Sequence, residues 1–168
     1  SLAVSLEMMT GNHEDACKKI DKIFKNAENM FETALGAAGA HNCGDLELAI
    51  SNYEYVFKTA PHFSSWARNL YSYALVENGD FDKALKFFEA ELQKEHAFGG
   101  FSKTMYLLSA YINKKRGNEK KAREFFDKQK SEDGKGKSAN RIRGELSMLK
   151  NKGFIEELID ELISLGLT

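Results

Sequence analysis

Residues that interrupt helices or favour β-strands are scarce in this chain. It has one proline in 168 residues, and Val and Thr are few beside Ala, Leu, Lys, Glu and Phe. β-Branched residues favour strands, whereas Ala, Leu, Lys and Glu favour helices. The composition therefore predicts an all-α fold.

Long apolar runs are missing as well. No stretch approaches the roughly 20 apolar residues that a membrane-spanning helix needs, and 29% of the residues are charged. These features exclude an integral membrane protein, and the length suits one substantial domain. We expect a single domain over residues 1–168 with no membrane partner.

Cysteine is limited to Cys17 and Cys43, too few for the disulfide framework of a small secreted domain. With His13 and His41 they form the one group that resembles metal ligands, but the spacing matches none of the usual zinc patterns. We expect a loop histidine and a small buried thiol, with no metal and no other cofactor. A reducing compartment follows, which predicts a cytoplasmic protein, with an organelle matrix as the alternative.

Charge is nearly balanced overall but unevenly distributed. The net charge is −1, yet residues 1–100 carry a net −6 and residues 101–168 a net +5. Within this second part, residues 101–153 hold 15 Lys and Arg against 6 Asp and Glu. This asymmetry could steer an acidic partner, phosphate groups or a second copy of the chain.

A pattern of glycine, a small residue five positions later and a large apolar residue nine positions later recurs along the chain. The glycines are separated by 33, 35, 38 and 36 residues. A period in this range indicates stacked supersecondary units. The sets are Gly11, Ala16 and Ile20; Gly44, Ala49 and Tyr53; Gly79, Ala84 and Phe88; Gly117, Ala122 and Phe126; Gly153, Leu158 and Leu162.

Apolar residues recur at three and four spacing on both sides of each glycine, so each unit predicts two amphipathic helices joined by a tight turn. The alanine marks a close approach of the two helices, and the large residue fills the wider gap one turn later. Asp45, Asp80 and Asn118 follow their glycines and are predicted helix caps. The predicted helices are 2–10, 13–24, 27–38, 45–59, 63–77, 81–95, 101–115, 119–131, 138–151 and 154–165.

The best-matching stretch resembles the tetratricopeptide repeat family, although the repeats are degenerate. The matching residues are Ala49, Tyr53, Pro61, Trp66, Leu70, Gly79, Ala84 and Phe88. The resemblance implies a right-handed superhelix, or solenoid, of about five antiparallel helical hairpins. It also implies a non-catalytic scaffold that binds a protein or peptide partner in a concave groove.

Two alternatives accompany this interpretation. The run Leu107-Leu108-Ser109-Ala110-Tyr111 with Gly117 resembles the pentatricopeptide repeats, which implies single-stranded RNA binding by the basic second part. A structural subunit of a larger assembly, or a self-associating chain, is the other alternative. It rests on the short first unit and on the lack of an initiator Met, which favours an excised or processed form.

Catalytic motifs are missing. No nucleophile elbow or His-Glu-x-x-His helix occurs, and residues 36–44 have neither a preceding strand nor the Lys-Ser/Thr ending of a phosphate loop. We expect no enzyme, and interpret residues 36–44 as a connector or a flexible helix end. In the family that the chain resembles, the first helix of each pair lines the concave surface. The predicted partner contacts are Trp66, Arg68, Asn69, Tyr73, Met105, Ser109, Asn140 and Arg143.

Overall fold

A computed structural model describes residues 13–94, 100–130 and 136–168, and the regular structure in these ranges is entirely α-helical. No helix within them is long and apolar enough to cross a membrane. The helices are α1 (His13–Lys18), α2 (Ile20–Lys25), α3 (Met30–Cys43), α4 (Leu46–Thr59), α5 (Ser65–Glu77), α6 (Phe81–Leu92), α7 (Gly100–Lys115), α8 (Glu119–Lys128), α9 (Ala139–Glu145) and α10 (Lys152–Ile163).

The all-α prediction is confirmed, and most predicted helices appear within a few residues of their expected bounds. The predicted helix 2–10 and the predicted turn at Gly11 lie outside the described residues. Three predictions were wrong in extent. Helix 27–38 is observed as Met30–Cys43, so it begins three residues later and ends five residues later than predicted. Helix 13–24 is divided at Lys19, and helix 138–151 ends early, because α9 stops at Glu145 beside Gly144, a residue of low helix propensity.

The chain folds into two compact units. Unit 1 comprises Ser1–Ala74 and the short segment Met148–Asn151, and unit 2 comprises Leu75–Ser147 and Lys152–Thr168. Each unit buries apolar side chains of its own, such as Tyr53 in unit 1 and Leu108 in unit 2.

In unit 1, α3 packs against both α4 and α2. Residues 36–44 are not a connector, because α3 continues through them to Cys43. Its glycines allow α2 to approach closely: a Cβ on Gly36 would lie 2.9 Å from the Phe24 ring, and one on Gly39 would clash with Ile20 Cδ1. His41, expected in a loop, is buried in the last turn of this helix.

Cys17 and Cys43 form a disulfide that joins α1 to the end of α3, so the predicted free thiols are wrong. The fold brings these cysteines, 26 residues apart, to a Cα–Cα distance of 5.7 Å, which lies in the range a disulfide requires. Both are half-buried. Sequence spacing gives no sign of this pairing, since it depends on how α1 and α2 fold back along α3.

Three of the predicted turn glycines share one backbone geometry. Gly44, Gly79 and Gly117 have φ of 83°, 78° and 75°, the left-handed conformation that glycine adopts without a steric penalty. At each, the N–H of the following residue donates to a carbonyl in the last turn of the helix, as in Asp45 N–H to Ala40 O at 2.9 Å. Gly153 was wrongly predicted as a turn, because it lies inside α10.

The recurring small and large residues are core residues wherever the structure describes them. The alanines of the pattern are fully buried, which is consistent with close approach of the paired helices. The large residues at the ninth position are almost fully buried as well. The alanines are Ala16, Ala49, Ala84 and Ala122, and the large residues are Ile20, Tyr53, Phe88, Phe126 and Leu162.

In unit 2, α7 packs against α8, α6 and α10, and α9 packs against α10. Aliphatic residues dominate its core, including Leu107, Leu108, Ile142 and Leu158. Thr168 is held next to the start of α9, because the Ala139 N–H donates to the Thr168 carbonyl at 2.8 Å.

The predicted caps are confirmed in part. Asp45 Oδ1 accepts from the Leu48 N–H at 3.2 Å. Asp80 and Asn118 occupy the cap positions but make no capping hydrogen bond, and the Asp80 carboxylate instead accepts from the Asn78 side chain at 2.9 Å.

Candidate functional site

Three aromatic side chains of unit 1 form what we call the aromatic face: Phe31, Phe63 and Trp66. Trp66 meets the other two edge to face, with ring centroids 6.2 Å from Phe31 and 6.2 Å from Phe63. Phe31 is 53% exposed, and Phe63 and Trp66 are half-buried. Contiguous, partly exposed aromatic surface of this kind is typical of protein-binding sites.

The start of α3 holds Phe31 in place. Asn29 caps the helix, its Oδ1 accepting from the Glu32 N–H at 3.0 Å. The Glu32 carboxylate in turn accepts from the Glu28 N–H at 2.7 Å. Because these bonds fix the first helical turn, Phe31, the second residue of α3, is presented from a rigid backbone.

Arg68 fixes the loop that carries Phe63. Its guanidinium donates to the Pro61 carbonyl and lies 4.6 Å from the centroid of the Phe57 ring. The Phe63 N–H donates to the Ala60 carbonyl at 2.9 Å. These contacts restrict the loop between α4 and α5, so the aromatic face is preorganised.

A second aromatic group joins α4 to α5 and is formed by the buried Tyr53 and Tyr71 and the half-buried Phe57. Phe57 and Tyr71 meet edge to face at 5.5 Å, and the Tyr71 hydroxyl donates to Glu54 at 2.9 Å. Tyr53 is fully buried, and its hydroxyl has no hydrogen-bond partner among the residues described. Burial raises the pKa of Tyr53.

The predicted contacts in unit 1 differ in accessibility. Trp66 belongs to the aromatic face. Arg68 is buried and positions the loop. Asn69 is half-buried one turn later on α5, with an amide oxygen that finds no partner in the described part of the chain. Tyr73 is enclosed in the core.

The predicted contacts in unit 2 divide in the same way. Met105 and Ser109 are buried on α7, so their side chains do not reach the surface. Asn140 and Arg143 are exposed on α9. The Arg143 guanidinium donates twice to the Glu156 carboxylate, at 3.1 and 2.9 Å. This hydrogen bonding raises the pKa of Arg143 and lowers that of Glu156.

Acidic residues of unit 2 form ion pairs with many of the Lys and Arg side chains of residues 101–153. Arg116 pairs with Asp82 at 2.7 Å and Lys115 with Glu157 at 2.8 Å. The Lys115 hydrogen bond lowers the pKa of Glu157, which also accepts from the Tyr111 hydroxyl at 3.2 Å. Further pairs are Lys114 with Glu119, Lys130 with Asp127, Lys137 with Glu145 and Arg141 with Glu145.

Comparison with models of known protein families, with curated proteins and with solved structures finds no match for this chain. The predicted contacts did not include Phe31 and Phe63. No signal in the sequence indicated them, because the predicted helices began at residues 27 and 63, whereas the observed ones begin at Met30 and Ser65.

Proposed function

We propose that the protein is a non-catalytic interaction scaffold whose aromatic face binds a protein or peptide partner. The observation that carries this proposal is the preorganised group of the exposed Phe31 and the half-buried Phe63 and Trp66. Rigid aromatic side chains lose little conformational entropy on binding and are frequent hot spots of interfaces.

The partner that suits this face is an extended peptide or an amphipathic helix carrying an apolar anchor residue. The edge-to-face rings leave aromatic surface available for an aliphatic or cationic side chain. The stacking of the hairpins into a right-handed superhelix, and kinship with the tetratricopeptide repeats, belong to this proposal. They are supported by the glycine turns and the buried alanines.

The compartment stays a prediction. Free thiols were the reason to expect a reducing, cytoplasmic location, and the Cys17–Cys43 disulfide removes that reason. Lasting disulfides are characteristic of oxidising compartments.

The test compares two equally exposed aromatics of unit 1. Peptides are selected from a displayed random library against the wild-type chain, and the affinity of the best binder is measured through the emission of Trp66, the single tryptophan. We expect Phe31→Ala to weaken binding about tenfold or more. Tyr55→Ala, which removes a side chain that is also 53% exposed but lies outside the aromatic face, should leave it unchanged.

Equal effects of the two substitutions, or binding that leaves Trp66 emission unaltered, would contradict the proposal. Single-stranded RNA titrated at several salt concentrations tests the pentatricopeptide-like alternative. Salt-sensitive RNA binding, combined with no selectable peptide, would favour that alternative.

A further inference from the structure

The Cys17–Cys43 disulfide lines an open cavity on unit 1. The cavity has a volume of about 620 Å³, and its other lining residues are Glu14, Lys18 and Lys150. The disulfide therefore borders space large enough for a small molecule. This arrangement differs from a structural disulfide enclosed in a core, which reagents in solution do not reach.

The two lysines of the cavity are in different electrostatic situations. Lys18 is paired within α1, at 2.9 Å from Glu14 and 3.7 Å from Asp15. Lys150 is exposed and has no acidic partner in the described ranges of the chain. Lys150 is therefore the lining cation that is not paired with a carboxylate in this part of the chain.

Contacts on both sides of Cys43 hold Lys150 at this place. Its backbone N–H donates to the Asn42 carbonyl at 2.9 Å. Its side chain passes Gly44, where an added Cβ would lie 3.9 Å from Lys150 Cδ. Leu149 beside it is buried, which anchors the segment. The backbone of Lys150 is therefore fixed next to Cys43, and its side chain extends along the cavity.

We propose that this cavity is a thiol–disulfide exchange site for a small anionic thiol. A thiolate attacks one cysteine sulfur, the Cys17–Cys43 bond breaks, and the other cysteine leaves as a thiolate. A second molecule of the thiol then attacks the mixed disulfide and releases the first cysteine. Two thiols are oxidised to one external disulfide while the protein disulfide gains two electrons and two protons.

Lys150 contributes in two ways to this reaction. Its charge attracts an anionic reagent into the cavity, and it stabilises the cysteine thiolate that leaves. The site is independent of the aromatic face, so it adds a second property to the proposed scaffold, a reversible covalent modification.

The experiment measures the rate of disulfide reduction in the folded chain with three thiols of similar size. They are 2-mercaptoethanesulfonate, which is anionic, 2-mercaptoethanol, which is neutral, and 2-mercaptoethylamine, which is cationic. Samples are quenched with iodoacetamide and the alkylated cysteines are counted by mass spectrometry. Each rate is corrected for the thiolate concentration and divided by the rate with a neutral model disulfide.

We expect the corrected rate to be about fivefold higher for the anionic thiol than for the cationic one, with the ratio falling as salt is added. Lys150→Gln should remove this preference for the anionic thiol, and Lys150→Glu should make the cationic thiol the faster reagent. Lys152→Gln, a neighbouring exposed lysine outside the cavity, should preserve the preference. Circular dichroism checks that the helices persist throughout.

Two results would overturn the proposal. One is the same ratio of anionic to cationic rates in wild type and in Lys150→Gln. The other is that none of the three thiols reduces the disulfide without denaturant. A mixed disulfide trapped on Cys17 or Cys43 with the anionic thiol would support it directly.

Discussion

Unit 1 and unit 2 follow the same glycine and alanine pattern but join their helices through different interactions. In unit 1 a disulfide ties α1 to α3, glycines bring α2 against α3, and aromatic rings connect α4 with α5. In unit 2 ion pairs link α7 with α10 and α9 with α10 over an aliphatic core. A repeated pattern thus specifies the backbone, while the intervening residues determine how each unit responds to reductant, salt and pH.

The largest expected effect is in unit 2, at the buried Lys137. Its side chain is 2% exposed and pairs with Glu145 at 2.6 Å, and burial lowers its pKa while the Glu145 hydrogen bond opposes that shift. Glu145→Gln leaves this ammonium without a counter-charge in the core. We expect the free energy of unfolding at pH 7 to fall by about 3 kcal/mol, measured by urea unfolding.

The pH dependence of this variant gives a second measurement. The folded-state pKa of Lys137 lies below its ordinary 10.5, so the unfolded state binds more protons in the interval between the two values. Stability should therefore recover as pH rises through that interval, more strongly in Glu145→Gln than in wild type. Glu156→Gln, in an exposed pair, serves as control and should show no measurable loss.

Removing the hydroxyl group from two buried tyrosines should change the free energy of unfolding in opposite directions. Tyr53 of unit 1 has no hydrogen-bond partner among the described residues, whereas Tyr111 of unit 2 donates to Glu157 at 3.2 Å. We expect Tyr53→Phe to raise the free energy of unfolding by about 1 kcal/mol and Tyr111→Phe to lower it by about 1 kcal/mol. If thermal or urea unfolding showed that both variants gain stability or both lose it, the different hydrogen bonding of the two hydroxyls would be disproved.

Both tyrosines also predict alkaline destabilisation. Burial raises the pKa of each above its ordinary 10.0, and Glu157 adds to the effect at Tyr111. The folded state thus keeps protons that the unfolded state loses, so stability falls as pH rises above 10. Each Phe variant should reduce that fall.

The smallest effects come from glycines inside helices. A Cβ on Gly36 of unit 1 would lie 2.9 to 3.2 Å from three atoms of the Phe24 ring, whereas a Cβ on Gly144 of unit 2 would meet no atom within 4 Å. We expect Gly36→Ala to lower the free energy of unfolding by about 1 kcal/mol. Gly144→Ala should raise it by about 0.5 kcal/mol. Equal changes in urea midpoint would contradict the close packing of α2 on α3.

Sequence reasoning located the helices and turns because local rules determine them. Gly44, Gly79 and Gly117 need a left-handed conformation, and Ala49 and Ala84 need a close neighbour, so each position carries its own signal. Periodicity could not distinguish a residue that faces a partner from one that faces the next helix. Met105, Ser109 and Tyr73 have the expected spacing yet are buried.

The candidate sites were harder to predict because distant segments build them. Phe31 and Trp66 are 35 residues apart, and Cys17 and Cys43 are 26 apart. Their contacts follow from helix packing, which no local pattern encodes. Gly153 shows that a matching local pattern can also mislead. It repeats the spacing of the other glycines, but the residues on both sides of it are helical.

The assignment of Met148–Asn151 to unit 1 affects the order of events during biosynthesis. The chain emerges from its N-terminus, so these residues follow Ala74 by roughly 4 to 15 seconds at typical translation rates. Cys17 and Cys43 are both synthesised well before Lys150. The disulfide can therefore form on a nascent chain that lacks this lysine, and Lys150 influences only the chemistry of the finished protein.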